Sequence, residues 1–428
     1  MTRTHFLQSA ARVIGLGVVA FALEACDFKV TNPGPTLDSY LADSLALSAQ
    51  VAGVGYTLSD GMNYSVLHTA VAARELFPTG QSGQFGIEPG NWIGSLVTEE
   101  QGTPWNTLSR ARWLADQAVN RTLKVLGPDK FAKHPTAAQG LIWRGFAYRV
   151  LGENMCVAII DNGPSKPSTE NAVRAESTFT AAIAVATAAS RPILVNAAYA
   201  GRAQVRAMLG KWTEAVADAG QVTTSFVYQM PYYANVDEYG YNRTMWSSTD
   251  QSFYKATSVW GTWYATYFDA SSDPRVKYNK TLLKGAGAFP PIGQVNWWPQ
   301  QKYVLRTAGI NLATGREMRL IEAEAALRNS DITTAMARID ALRSAIGAPV
   351  LARPANLVEA WSILKRERGI ELWLEGRRLA DFRRWTASNT PGTLDPLEVV
   401  SASSYLQKQD LCLPVSRQEL DANPNLNK

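Results

Sequence analysis

The stretch Leu209–Ala219, LGKWTEAVADA, and its later counterpart Ala326–Arg343, ALRNSDITTAMARIDALR, decide the fold. In the first, one helix runs into Gly210 and another starts at once, with bulky Trp212 three residues before small Ala215. In the second, Ile332 and Ala335 repeat the arrangement. Helical residues three apart share a face, so each hairpin sets a large side chain beside a small one. Tetratricopeptide-like helix pairs stack in this way, and generic helical hairpins give the same spacing. Either way the expectation is a mainly α protein on a scaffold of helical hairpins.

Outward from these hairpins, helical spacing continues. From Trp105 to Gly127 the residues Leu108, Trp113, Leu114, Ala118, Leu123 and Leu126 recur with mostly helical period. Thr136–Leu151 follows, with Gly152 read as its stop, and Asn171–Ala189 is an alanine-rich helix broken by Pro192. Leu194–Leu209 and Lys211–Val222 flank Gly210, and helices resume after Arg316. The character changes in between. Residues Phe226–Tyr303 hold 19 of the chain's 42 aromatic rings, set among Gly, Pro, Asn and Ser, which predicts an irregular, aromatic-rich lobe. A second loop, Phe77–Trp92 (FPTGQSGQFGIEPGNW), carries four glycines and two prolines. The expected divisions are an N-terminal scaffold over 37–225, the aromatic lobe over 226–315 and a C-terminal scaffold over 316–428.

Composition bounds the chemistry. The chain has 428 residues, more than one simple core usually holds, and 46% of them are apolar and 18% charged, which describes a folded body rather than a disordered one. Its 42 basic residues exceed its 37 acids by only 5, with no local basic stripe, so no nucleic-acid partner is expected. Three cysteines and three histidines, without CxxC or HExxH spacing, predict no metal site, and the lack of a Gly-rich phosphate loop predicts no cofactor.

The N-terminus reads as an address. Arg3, His5 and Arg12 precede an apolar run, Val13–Leu23, too short to span a bilayer, and the run ends Leu23-Glu24-Ala25-Cys26. This resembles a bacterial lipobox, cut before a cysteine that is then acylated; Glu24 departs from the small residue usual there. Residues 1–25 are thus expected to leave as a signal peptide, with Cys26 lipidated and 26–36 serving as a tether. Acyl chains contribute roughly 0.8 kcal/mol per buried methylene, enough together for stable anchoring. Asp27 retains lipoproteins at the inner membrane in some bacteria, so this motif leaves the membrane open. With Cys26 used, Cys156 and Cys412 remain, and outside the cytoplasm an even remainder invites a disulfide. Two separately buried thiols are the alternative.

One cluster suggests catalysis. Glu367, Glu371 and Glu375 form a stripe at i, i+4 and i+8, flanked by Arg366, Arg368, Arg377, Arg378, Arg383 and Arg384. Paired carboxylates hydrolyse glycosidic bonds, but the general acid needs a raised pKa, and arginines on all sides work against that. An ion-pair network fastening the C-terminal helices is the simpler reading, and no enzyme activity is expected.

Five segments, in order along the chain, resemble the SusD/RagB family of outer-membrane lipoproteins: PWNTLSRARWLADQAVNRTL (Pro104–Leu123), SSDPRV (Ser271–Val276), REMRLIEAEAAL (Arg316–Leu327), KRERGIELWLEGRRLADFRRW (Lys365–Trp385) and LCLPVSRQELDANPNL (Leu411–Leu426). The resemblance implies a tetratricopeptide-like scaffold with a variable lobe, at the outer membrane, lying over a TonB-dependent (SusC-like) transporter and capturing a glycan or peptide without turning it over. It transfers no ligand site. For that, the residues themselves point to aromatic faces, which bind sugar rings through their axial C–H groups, beside amides that fix hydroxyls. The candidates are Asn91, Trp92, Trp246, Trp260, Trp263, Tyr264, Trp297 and Trp298. A protein–protein scaffold with no small ligand is the alternative, favoured if those tryptophans prove buried.

Overall fold

A computed structural model describes residues 43–80, 90–234, 240–249, 254–288 and 292–426; Cys26 and the segments expected as signal peptide and tether lie outside the described residues. The chain from Ser44 onward forms one unit. It is mainly helical, and its first six helices are consecutive neighbours: α1 (Leu47–Ala72), α2 (Gly102–Phe131), α3 (Pro135–Asn154), α4 (Thr169–Ala188), α5 (Pro192–Met208) and α6 (Trp212–Ala219). Each packs on the next, and α9 (Gly315–Arg328) continues the series by packing on α5, α6, α10 (Ile332–Ser344) and α11 (Leu357–Glu371). The short α7 (Arg243–Ser248) and α8 (Trp263–Ser271) lie between, and α12 (Arg378–Ala387) and α13 (Arg417–Ala422) close the chain.

Local chemistry sets the helix ends. Pro135 and Pro192 occupy first-turn positions, where the missing N–H costs nothing. Thr314, Asp331, Asn356 and Ser416 cap α9, α10, α11 and α13 by accepting from Glu317, Thr334, Glu359 and Glu419 backbone N–H groups. Gly210 turns the chain between α5 and α6 at φ +73°, a left-handed conformation that side chains resist. Gly152 does not stop α3 as its residue type suggests; the helix continues to Asn154 because the glycine lets α4 and Met208 of α5 approach. The hairpin pattern is recovered in burial: Ala215 and Ala335 are fully buried while Trp212 and Ile332 pack partly exposed against the core. A clearer instance of the same large-beside-small packing is Phe179 of α4. A Cβ at Gly145 of α3 or Gly201 of α5 would lie about 2.5 Å from its ring, so two glycines make the slot that holds it.

Three two-stranded ladders join distant segments. β1 (Phe77–Pro78) pairs with β5 (Thr257–Ser258), β2 (Val157–Ala158) with β3 (Lys166–Pro167), and β4 (Val227–Met230) with β6 (Ile310–Thr314), all antiparallel. The last ladder sews together the two ends of the aromatic stretch. That stretch is not a separate layer: Trp263, Tyr264, Val276, Tyr278 and Tyr303 belong to the same core as the scaffold helices, and Tyr264 stacks on Trp373 at 5.6 Å.

The glutamate stripe is a buried ion-pair network, though its partners are not the flanking arginines. Arg275, from the SSDPRV segment, reaches both Glu367 and Glu371 at 3.2 Å; Arg343 holds the other oxygen of Glu367 at 2.7 Å and Arg316 that of Glu371 at 2.6 Å. Lys302 takes Glu375 at 2.8 Å. The flanking arginines turn elsewhere: Arg368 to Asp381, Arg378 to Glu398, Arg377 to Glu153 and Glu317, and Arg384 to Glu324 and Asp381. Arg383 donates to the carbonyls of Gly152, Glu153 and Met155, capping the C-terminus of α3. The stretch is split between α11, the connection 372–377 that carries Glu375 and Arg377, and α12, so its charged neighbours find partners on different packed elements.

Candidate functional site

The loop surface is organised by Arg74. Directly after α1 the chain turns through Arg74 at φ +56° and enters β1. Its side chain is fully buried and donates to the carbonyls of Val71 (3.3 Å), Ser404 (3.0 Å) and Trp92. One guanidinium thereby ties the 91–93 turn and the 401–406 turn to the end of α1. Its planar face lies 4.9 Å from the Phe77 ring centre, and burial lowers its pKa to about 9.

Around fully buried Phe77 the other rings gather. Trp260 meets it edge-on at 5.3 Å and Tyr405 at 5.9 Å, and both are half-buried. Trp260 is placed by the β1–β5 ladder, where Phe77 pairs with Ser258. The Ser258 hydroxyl accepts from the backbone N–H groups of Trp260 (3.1 Å) and Trp298 (2.7 Å) and donates to the Asn296 carbonyl. Trp92, also half-buried, sits in a short turn ending at Gly94, where the carbonyl of Lys408 comes so close that a Cβ would overlap it. The N–H groups of Gln407 and Lys408 both donate to Ile93 at 3.0 Å. Trp260 and Tyr405 thus flank Phe77 as partly exposed rings, and the turn that carries half-buried Trp92 is tied to the same support through Arg74. Trp298 stacks on Tyr278 at 5.5 Å, with Lys280 Nζ 5.5 Å from its ring.

Four of the predicted residues are corrected. Asn91, Trp263, Tyr264 and Trp297 are 0%, 5%, 0% and 1% exposed, which leaves no face for a ligand. Trp263 and Tyr264, in the first turn of α8, pack against each other at 4.2 Å, and removing such apolar surface from water contributes about 25 cal/mol per Å². Trp246 stands on α7, but its side chain lies outside the described residues, as does most of the glycine-rich loop, 81–89. Cys156 and Cys412 are joined in a disulfide, their Cα atoms 5.0 Å apart, beside the Met155–Leu413 bridge.

Sequence reading missed Arg74, Phe77 and Tyr405 as site builders, since no local pattern connects residues more than 300 positions apart. It also missed a groove of about 660 Å³ between α1, α3 and β4, walled by Gly55, Gln139, Trp143, Tyr228 and Tyr233, in which Gln139 donates to the Tyr228 hydroxyl at 3.0 Å. The carboxylates of Glu367 and Glu371 are nearly fully buried with both oxygens held by arginines, so neither has an oxygen for a glycosidic bond. Among the described residues no group of three or more His, Cys, Asp or Glu is placed to hold a metal ion, and no helix is long and apolar enough to cross a membrane.

Residues 243–428 match the model of the SusD family. No curated protein sequence matches the chain. Among solved structures, a SusD superfamily protein from Bacteroides vulgatus is 14% identical with a TM-score of 0.67, covering 90% of this chain and 98% of its own. A SusD-like carbohydrate binding protein from the same organism is 14% identical with a TM-score of 0.56, covering 89% and 97%. A laminarin binding SusD-like protein is 14% identical with a TM-score of 0.61, covering 90% and 98%. Residues 243–428 thus resemble the SusD family in sequence, and the fold is shared along nearly the full length with solved SusD superfamily structures.

Proposed function

We propose that this protein is a lipid-anchored, outer-membrane nutrient-binding protein that captures an oligomeric nutrient, glycan or peptide, and passes it to a TonB-dependent transporter. The observation that carries the reading is the rim of Trp260 and Tyr405 around Phe77, to which Arg74 fastens the turn carrying Trp92. Partly exposed rings on a rigid support suit sugar faces and apolar peptide side chains alike, and pre-ordering them spares entropy on binding. The laminarin-binding and carbohydrate-binding relatives of the same fold favour a glycan. The lipobox ending at Cys26 supplies the anchor and an extracytoplasmic address.

Titration of the mature chain against a panel of oligosaccharides and peptides tests it, with product analysis of the same mixtures. Saturable binding without new products is expected, weakened tenfold or more by Trp260→Ala. Hydrolysis of the ligand would overturn the reading. Detergent-solubilised membranes are expected to yield the protein together with a large β-barrel, and Cys26→Ala to release it from the membrane. Burial of all the lobe tryptophans would favour the rival protein scaffold; Trp263 and Trp297 are buried, whereas Trp260 and Trp298 keep exposed surface. Retained transporter binding with no ligand in the panel would favour that rival.

A further inference from the structure

Trp113 falls in a run with helical apolar spacing, yet it is 48% exposed, the only tryptophan among the described residues on the exposed side of the surface. It stands on α2 above an open groove of about 500 Å³, within the size range of small-ligand clefts. Arg110 and Gln117, three residues before and four after, share its helical face and line the same groove. The opposite wall comes from the tip of the β2–β3 hairpin and from α13.

That wall is built with care. Asp161 and Asn162 take consecutive left-handed conformations (φ +52° and +61°), which short polar side chains tolerate best. Arg112, buried in α2, holds Asp161 at 2.6 Å and so pins the tip against the helix. Asn425 donates to the Asn162 carbonyl at 2.7 Å, and Asn423 to the Gly163 carbonyl at 3.1 Å and to Glu419 at 2.9 Å. At the hairpin's base, the disulfide between Cys156 and Cys412 fixes it to the C-terminal segment that carries α13. In the groove's lining Trp105 is 2% exposed, and its indole N–H has no hydrogen-bond acceptor among the described residues. A buried donor without an acceptor is costly unless a bound molecule or water supplies one.

We propose that the groove over Trp113 is a second glycan-binding site, separate from the Arg74-centred rim, taking a short run of neutral pyranose rings. The exposed indole face would stack on a sugar ring, and Gln117 and Asn162 would meet hydroxyls from either side. The rim of the groove carries both signs of charge, with Arg110 across from Asp161 and Glu419, which suits an uncharged ligand. Two separated sites on one protein hold a polysaccharide by avidity beyond either alone. The inference rests on the glycan form of the proposed function.

Affinity electrophoresis through native gels containing laminarin, starch, xylan or galactomannan tests it, comparing the wild type with Trp113→Ala, Trp113→Tyr and the double variant Trp92→Ala/Trp260→Ala. Trp113 is a surface residue, so circular dichroism is expected to show an unchanged fold. Trp113→Ala is expected to weaken retention on the bound polysaccharide at least tenfold, with Trp113→Tyr restoring most of it. If Trp113→Ala is retained like the wild type on every glycan that retards the wild type, while the double variant is not, the second site is overturned and the rim reading stands. If Trp113→Ala keeps its retention but loses the co-purifying β-barrel, the groove is a protein contact and the inference fails. If no glycan retards the wild type, this inference and the glycan form of the proposed function fall together.

Discussion

The C-terminal ion-pair network and the aromatic rim are both fastened by buried arginines, but they do opposite things with polarity. In the network, Arg368, Arg377, Arg378 and Arg384 meet carboxylates, and the groups cancel one another inside the core. At the rim, Arg74 meets only carbonyls and an aromatic face among its described contacts, so its charge is spent on holding two loops. The first arrangement locks helices together. The second leaves rings half in water, where something can reach them. A variant in the network should therefore cost stability and spare binding, and a variant at the rim should do the reverse.

The largest effect is expected on the scaffold side. The disulfide closes a loop of 256 residues, for which chain entropy gives about 5 kcal/mol at most. Cys156→Ala/Cys412→Ala is expected to lower the urea midpoint more than any single rim variant, and an unchanged midpoint would show that the bond adds nothing to the packed scaffold. Next comes Arg378, which grips Glu398 with two hydrogen bonds of 2.7 and 2.6 Å and the Lys365 carbonyl with a third. Arg378→Ala strands a buried carboxylate, at a cost of about 3–5 kcal/mol. If it weakened ligand binding in the folded protein as much as Trp260→Ala, the two regions would not be separable.

Glu75 sharpens the comparison through pH. It follows Arg74 in the chain, fully buried, with one oxygen accepting from Leu374 N–H at 2.9 Å and the other without a hydrogen-bond partner among the described residues. Burial pushes its pKa up to about 8. A carboxyl whose folded pKa is raised keeps its proton in the folded state while the unfolded chain loses it. The folded protein therefore binds more protons between about pH 4.5 and 8, and stability falls as pH rises through that window. Glu75→Gln is expected to flatten this slope, which urea midpoints at pH 5 and pH 8 would read. Asp381 works in the other direction: Arg368 and Arg384 outweigh its burial and hold its pKa well below the usual range, so its contribution is present above about pH 4 and lost on acidification. The smallest effect on stability is Trp260→Ala, roughly 1–2 kcal/mol for a half-buried ring with one edge contact. A loss near that of Arg378→Ala would make the rim part of the core.

Much of the scaffold was legible. Helical period, Pro192 and Gly210 act within a few positions, so a linear reading finds them. The glutamate stripe showed that charges had to be neutralised, because unpaired charges do not stay buried. It did not show that Arg275, about 90 positions away, would neutralise two of them. The candidate site was less legible. Trp92 and Trp260 keep exposed surface, while Trp263 and Trp297 beside them in the same composition are buried. Trp113 inverted its expected role, because helical period says which residues share a face and not which face finds a neighbour.

By itself the sequence determined the helical scaffold, the presence of a ring-rich insertion and the need for buried charges to pair. These follow from spacing, residue volume and charge, which are properties of neighbours along the chain. Only the tertiary structure decided which ring faces water, which arginine meets which carboxylate, and that Arg74, Trp92, Trp260 and Tyr405 converge at one place. Those outcomes depend on which surfaces meet across more than 300 residues of chain, and burial is a property of that meeting rather than of any residue in it.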